Sequence, residues 1–144
     1  MPANNDVIFS RQGDMSTNGT TGMGALITAA AADYTGAGAS NVLAFTADAT
    51  NGSYVSRLRF KPGGTNVAAV MRVYLNNGAA NTSATNNVFY GEINLPATTS
   101  ATTSATVDID YPMNFALPPG WRIYVGLGAA VAAGWVVTPI AGKY

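Results

Sequence analysis

Two stretches of this chain alternate apolar and polar side chains with a period of two, and that pattern limits the possible fold more than any other feature. In Tyr54 to Lys61, the residues Ser56, Leu58 and Phe60 fall on one face and Arg57, Arg59 and Lys61 on the other. Successive strand side chains point to opposite sides of a sheet, so this is a strand with one face toward a core. Val67 to Leu75 repeats the logic: Val67, Ala69, Met71, Val73 and Leu75 are expected inward, with Arg72 and Tyr74 outward. Further runs place Phe89, Gly91, Ile93 and Leu95 opposite Tyr90 and Glu92, and Val107, Ile109, Tyr111 and Met113 opposite Asp108 and Asp110. Trp121, Ile123, Val125 and Leu127 define another strand, and Gly134 to Ile140 a last one. Shorter apolar runs stand at Ala25 to Thr28 and Asn41 to Thr46. No segment of about ten residues or more carries an apolar period of 3.6.

Turn signals separate these runs. Asn51-Gly52 is a strong hairpin dipeptide, and Pro62-Gly63-Gly64, Asn76-Asn77-Gly78 and Leu117-Pro118-Pro119-Gly120 punctuate the rest. The pattern predicts an all-β fold, an antiparallel β-sandwich or jelly-roll-like arrangement of about eight strands. Residues 1–22 read as an extended N-terminal arm and residues 23–144 as the sandwich domain. The arm holds one apolar cluster, Val7-Ile8-Phe9, within a Gly/Asn/Ser/Thr-rich segment. It is either a poorly ordered terminus or an arm that orders on a neighbour, Val7 to Arg11 adding a strand to the neighbour's sheet edge.

Composition narrows the chemistry. The chain has no histidine and no cysteine, and only 10% of its residues are charged. No imidazole is available as a base near neutral pH, and no thiolate as nucleophile or metal ligand. There is no Gly-x-Ser-x-Gly elbow. Gly36-Ala37-Gly38 and Gly126-Leu127-Gly128 lack the following helix whose N-terminus would hold a phosphate. Seven basic and seven acidic residues give zero net charge, so neither nucleic acid nor an anionic membrane is an expected partner. No apolar run approaches the ~18 residues of a spanning helix, and Met1 to Asp6 lacks the marks of a secretory signal. A protein soluble and made in a cytoplasm is expected, with no cofactor. So few charges also protect poorly against self-association.

Few residues remain as candidates. Asp108 and Asp110 share a strand face; they are solvated charges, or ligands for a hard cation such as calcium, or a glycosidase pair. Arg57, Arg59 and Lys61 form the densest basic stripe, with Arg72 expected beside them as a cross-strand neighbour. That face is either solvated and paired with Asp108, Asp110 or Glu92, or a docking face for an acidic partner. Trp121 and Trp135 are expected in the core or a subunit interface, with an exposed sugar platform as the alternative. Tyr54, Tyr74, Tyr90 and Tyr124, with Trp135, are the candidates for a subunit interface, where an apolar ring with a polar tip suits a half-wet contact.

Two segments resemble a known family. Tyr54-Val55-Ser56-Arg57-Leu58-Arg59-Phe60-Lys61-Pro62 with Gly64-Thr65-Asn66-Val67 is similar to a small structural protein of tailed bacteriophages. So is Leu117-Pro118-Pro119-Gly120-Trp121-Arg122-Ile123-Tyr124-Val125, continued by Ala129 to Gly134 and Trp135. The resemblance spans roughly residues 40–144 and implies a non-enzymatic virion component of the capsid decoration, or cement, type. It implies a β-rich homotrimer on the capsid surface whose partner is the major capsid protein of the same virus, and an arm that reaches neighbouring subunits. Val7, Ile8, Phe9, Arg11, Arg57, Arg59 and Arg72 would then be the capsid-binding candidates. The alternative is a tail, fibre or head-spike module that contacts host glycans.

Overall fold

The computed structural model describes residues 10–17, 22–31 and 33–144. Among the described residues it is a β-sandwich of nine strands in two antiparallel sheets. The strands are β1 (Gln12–Asp14), β2 (Ala25–Ile27), β3 (Val42–Thr46), β4 (Ser53–Pro62), β5 (Ala69–Asn76), β6 (Asn87–Leu95), β7 (Ile109–Leu117), β8 (Arg122–Leu127) and β9 (Trp135–Lys143). A single 3-10 turn, Ala84–Asn86, precedes β6. One sheet runs β1-β9-β4-β7, with β2 also on the outer edge of β9; the other runs β3-β8-β5-β6.

The pairings are nested. β5 pairs with β6, β4 with β7, β3 with β8 and β2 with β9, all antiparallel. Cross-pairs β4·β9 and β5·β8 then seal each sheet. From β2 to β9, only β5 and β6 are neighbours both in sequence and in the same sheet. Asn51-Gly52 therefore does not close a hairpin: β3 and β4 lie in different sheets, and this turn carries the chain across the sandwich. Asp48 builds it, its Oδ1 accepting the amides of Thr50 and Asn51 at 3.0 and 2.8 Å.

The core lies between the sheets. Val55, Leu58, Phe60, Trp135 and Val137 come from one side, and Phe45, Met71, Val73, Ile123, Val125 and Leu127 from the other. Two bulges alter the expected inward faces. In β4 the register shifts between Val55 and Arg57, so Val55, not Ser56, joins Leu58 and Phe60 in the core. In β6 the shift places Val73 opposite Gly91 but Tyr74 opposite Phe89, leaving Tyr90 as the extra residue. Phe89 accordingly leaves the inward face, and the Tyr90 ring meets Tyr111 and Phe115 of β7 at the mouth between the sheets. Bulges of this kind insert one residue and reverse the alternation beyond it.

β1 and β2 lie end to end along β9, β2 against Trp135 to Val137 and β1 against Ala141 to Lys143. Pro139 falls in the gap between them, where the outer edge of β9 requires no amide proton. β1 lies within the residues read as the arm: Gln12 to Asp14 pair with this chain's own sheet, and the Arg11 amide donates to the Lys143 carbonyl at 2.8 Å.

Candidate interaction surfaces

The outer face of the β4–β7 pair carries the charges. Register places Arg59 directly opposite Asp110, and the guanidinium binds both carboxylate oxygens, Nε to Oδ1 at 2.7 Å and Nη2 to Oδ2 at 2.8 Å. Arg57 Nε adds a contact to Asp110 Oδ2 at 3.4 Å. Lys61 Nζ sits 2.7 Å from Asp108 Oδ1 and donates to the Thr106 carbonyl at 2.9 Å. The bond from Arg59 holds the Asp110 carboxyl below its ordinary range, and the bond from Lys61 does the same for Asp108. A general acid needs the opposite shift. Each carboxylate is already engaged by a cation of its own chain. Three basic and two acidic side chains leave this face with one surplus positive charge.

Arg72 is elsewhere. It belongs to β5 in the second sheet, so it is not a cross-strand neighbour of Arg57 and Arg59. Although it points to the outer side as the alternation requires, it is only 9% exposed, and Tyr74 is 0% exposed. The segment after β2 covers them. The Ala31 amide binds the Leu127 carbonyl at 2.7 Å. Arg72 Nη1 then donates to the Ala31 carbonyl at 2.8 Å, the Tyr74 hydroxyl donates to the Asp33 carbonyl at 2.9 Å, and the Arg72 guanidinium stacks 4.1 Å from the Tyr34 ring centre. Gly36 (φ 74°) presses against the Tyr74 ring, where a Cβ would meet a ring carbon at 3.0 Å. Burial pushes the Tyr74 phenol above its ordinary pKa. These two side chains hold down a loop and present no docking surface.

The other interface candidates divide. Trp135 is 0% exposed and belongs to the core, which removes it both as a subunit contact and as a sugar platform. Tyr124, register partner of Tyr74, is buried beside it. Trp121 packs half-buried against the core. Tyr90 alone of the tyrosine candidates keeps substantial exposure, 41%. Val7, Ile8 and Phe9 lie outside the described residues, and Arg11 is exposed at the start of β1. The sequence reading missed two separate groups of exposed apolar side chains: Val88 and Phe89 on β6, with Tyr34 edge-on to Phe89 and ring centres 5.3 Å apart, and Met15, Met23 and Leu26 near the β1–β2 edge. The tripeptide Val88-Phe89-Tyr90 was the available signal, because three consecutive large apolar residues cannot all face one core from a regular strand. Compared with protein-family models, with curated proteins and with solved structures, the chain finds no match in any of the three.

Proposed function

We propose that this protein is a non-enzymatic structural component of a virus particle, a decoration protein that binds the outer surface of the capsid lattice and stiffens it. The nested strand order supports reading the sandwich as a jelly roll, in which one long hairpin is rolled over itself. One contrast carries the non-catalytic reading. The charged groups of the outer faces are spent on the chain's own architecture, Asp108 and Asp110 on Lys61 and Arg59, and Arg72 on the loop carbonyls. Large apolar side chains, Val88, Phe89 and Tyr90 among them, stand exposed, so the surface offers apolar contact area beside charges that are already paired. The assignment to a capsid rests on the resemblance of the β4 and β8 segments to the phage family. Repetition around a symmetric shell lets modest contacts suffice.

Cosedimentation of the purified chain with capsids that lack it tests this reading. Binding with a raised particle melting temperature is expected, weakened by reversing Arg57 and Arg59 to Glu and by deleting residues 1–9. That deletion stops short of β1, which the domain uses. Failure of the wild-type chain to bind any region of the shell would refute the capsid role. Binding unchanged in both variants would move the docking face elsewhere.

A further inference from the structure

The four outer edges of the two sheets are finished differently. β3 is short, and its Thr46 hydroxyl donates to the Thr17 carbonyl at 2.9 Å, so residues 16 and 17 lie over it. β1 and β2 have three residues each. β7 carries Pro112, which has no amide proton, Asn114 in the left-handed region (φ 55°) and the charge of Asp110. Proline, irregular backbone and charge are the devices that keep edges from pairing. β6 has nine residues, no proline and one charge, Glu92. Val88, Phe89 and Tyr90 on it are 63%, 39% and 41% exposed. Among the described residues no strand pairs with its outer side. A contiguous apolar strip on a free edge marks an interaction site.

We propose that this edge is where the chain associates with a second copy of itself. The two copies meet antiparallel across a two-fold axis near Phe89, so that Val88, Phe89 and Tyr90 of each cover the same residues of the other. The bulge at Tyr90 bends the edge, so side chains rather than a continuous ladder make the contact.

Charge selects this occupant. A two-fold contact sets a patch against itself, which is costly where the patch is charged; this one is neutral, on a chain of zero net charge. With the axis at Phe89, Glu92 of one copy falls opposite Asn86 of the other. The two Glu92 carboxylates then stand about six residues, roughly 20 Å, apart along the strands, well beyond the ~8 Å screening length at physiological salt. Each Glu92 is also faced by its own Arg72, Nε to Oε2 at 3.7 Å. A charged partner would find little else here to recognise. This contact is independent of the capsid reading and differs from the three-fold assembly that the phage resemblance implies.

Light scattering on the full-length chain tests it without any capsid. The expected result is a concentration-dependent dimer, converted to monomer by Val88→Lys, whose thermal unfolding should match that of the dilute wild-type monomer, since Val88 is exposed and only the contribution of association is lost. The chain has no cysteine, so Phe89→Cys can form a disulfide only between copies. Mild oxidation should trap a linked dimer in high yield, and Met23→Cys, at a different edge, should not. Mixing Val88→Cys with Tyr90→Cys serves the same purpose if the Phe89 variant folds poorly. A monomer at every concentration, a trimer, or a dimer indifferent to Val88→Lys would each overturn the proposal.

Discussion

Arg59 and Arg72 occupy equivalent positions in two strands with the same alternation, each pointing away from the core, yet their surroundings are opposite. Arg59 lies in solvent beside Asp110, part of a ladder open to water. Arg72 lies beneath Ala31 and residues 33–36, bonded to backbone carbonyls and stacked on Tyr34. The period of two fixes which side of a sheet a residue takes; it carries no information on whether another part of the chain will cover that side. The energetic consequence follows from solvation. An exposed ion pair exchanges good hydration for a contact of similar strength and contributes little. A buried guanidinium has lost its water and depends on the carbonyls that replace it.

The largest effect should therefore come from Arg72→Ala. It removes the cation from Tyr34, leaves the Ala31 carbonyl without its donor and leaves the Asp33 carbonyl to the Tyr74 hydroxyl alone, which should cost about 2–4 kcal/mol of stability, measured by chemical denaturation. Amide exchange should quicken at residues 33–36 first. A variant as stable as wild type would show that the loop is held by other contacts and would erase the contrast with Arg59. Tyr74→Phe is milder. It deletes only the hydrogen bond to the Asp33 carbonyl and should cost about 1 kcal/mol. The same variant sharpens the burial argument by titration. Burial raises Tyr74 and Tyr111 above the ordinary value of 10.0, so two late ionisation steps are expected above that value, and one of them should vanish in Tyr74→Phe. A folded pKa above the unfolded one means this stabilisation is complete below pH 10.0 and lost as pH rises through the raised value.

Much of the fold was legible because strands with one buried face advertise themselves. Leu58, Phe60, Met71, Val73, Ile123 and Val125 are all in the core as their alternation requires. What was not legible depends on partners distant in sequence. A bulge is a mismatch between two strands, so the alternation of β4 and β6 taken alone puts Ser56 and Phe89 on the inward face, and only the neighbouring register moves them off it. Asn51-Gly52 has the chemistry of a tight turn whether the strands it joins pair or diverge to different sheets. The cover over Arg72 left one trace, Gly126 inside β8: glycine within a strand marks a close approach of other atoms, and the Asn41 side chain occupies the place its Cβ would need. The pairing of basic and acidic residues on β4 and β7 was among the readings open from sequence; the choice of Asp110 for Arg59 required the register.

The smallest effect belongs to the exposed ladder, and it tests the comparison from the other side. Asp110→Asn removes the partner of Arg59 while keeping shape, and thermal unfolding should barely move at physiological salt, where exposed charges are screened. The ladder should still leave a mark in acid. Hydrogen bonds from Arg59 and Lys61 hold Asp110 and Asp108 below the ordinary value of 3.8. Their contribution is thus present above pH 3.8 and fades as pH falls through the depressed folded values. Wild type should lose stability across that window slightly more than Asp110→Asn, and added salt should shrink the difference. A large loss in Asp110→Asn at neutral pH would mean that the outer face of the β4–β7 pair is as structural as the one beneath residues 33–36. The two arginines would then differ in exposure but not in role.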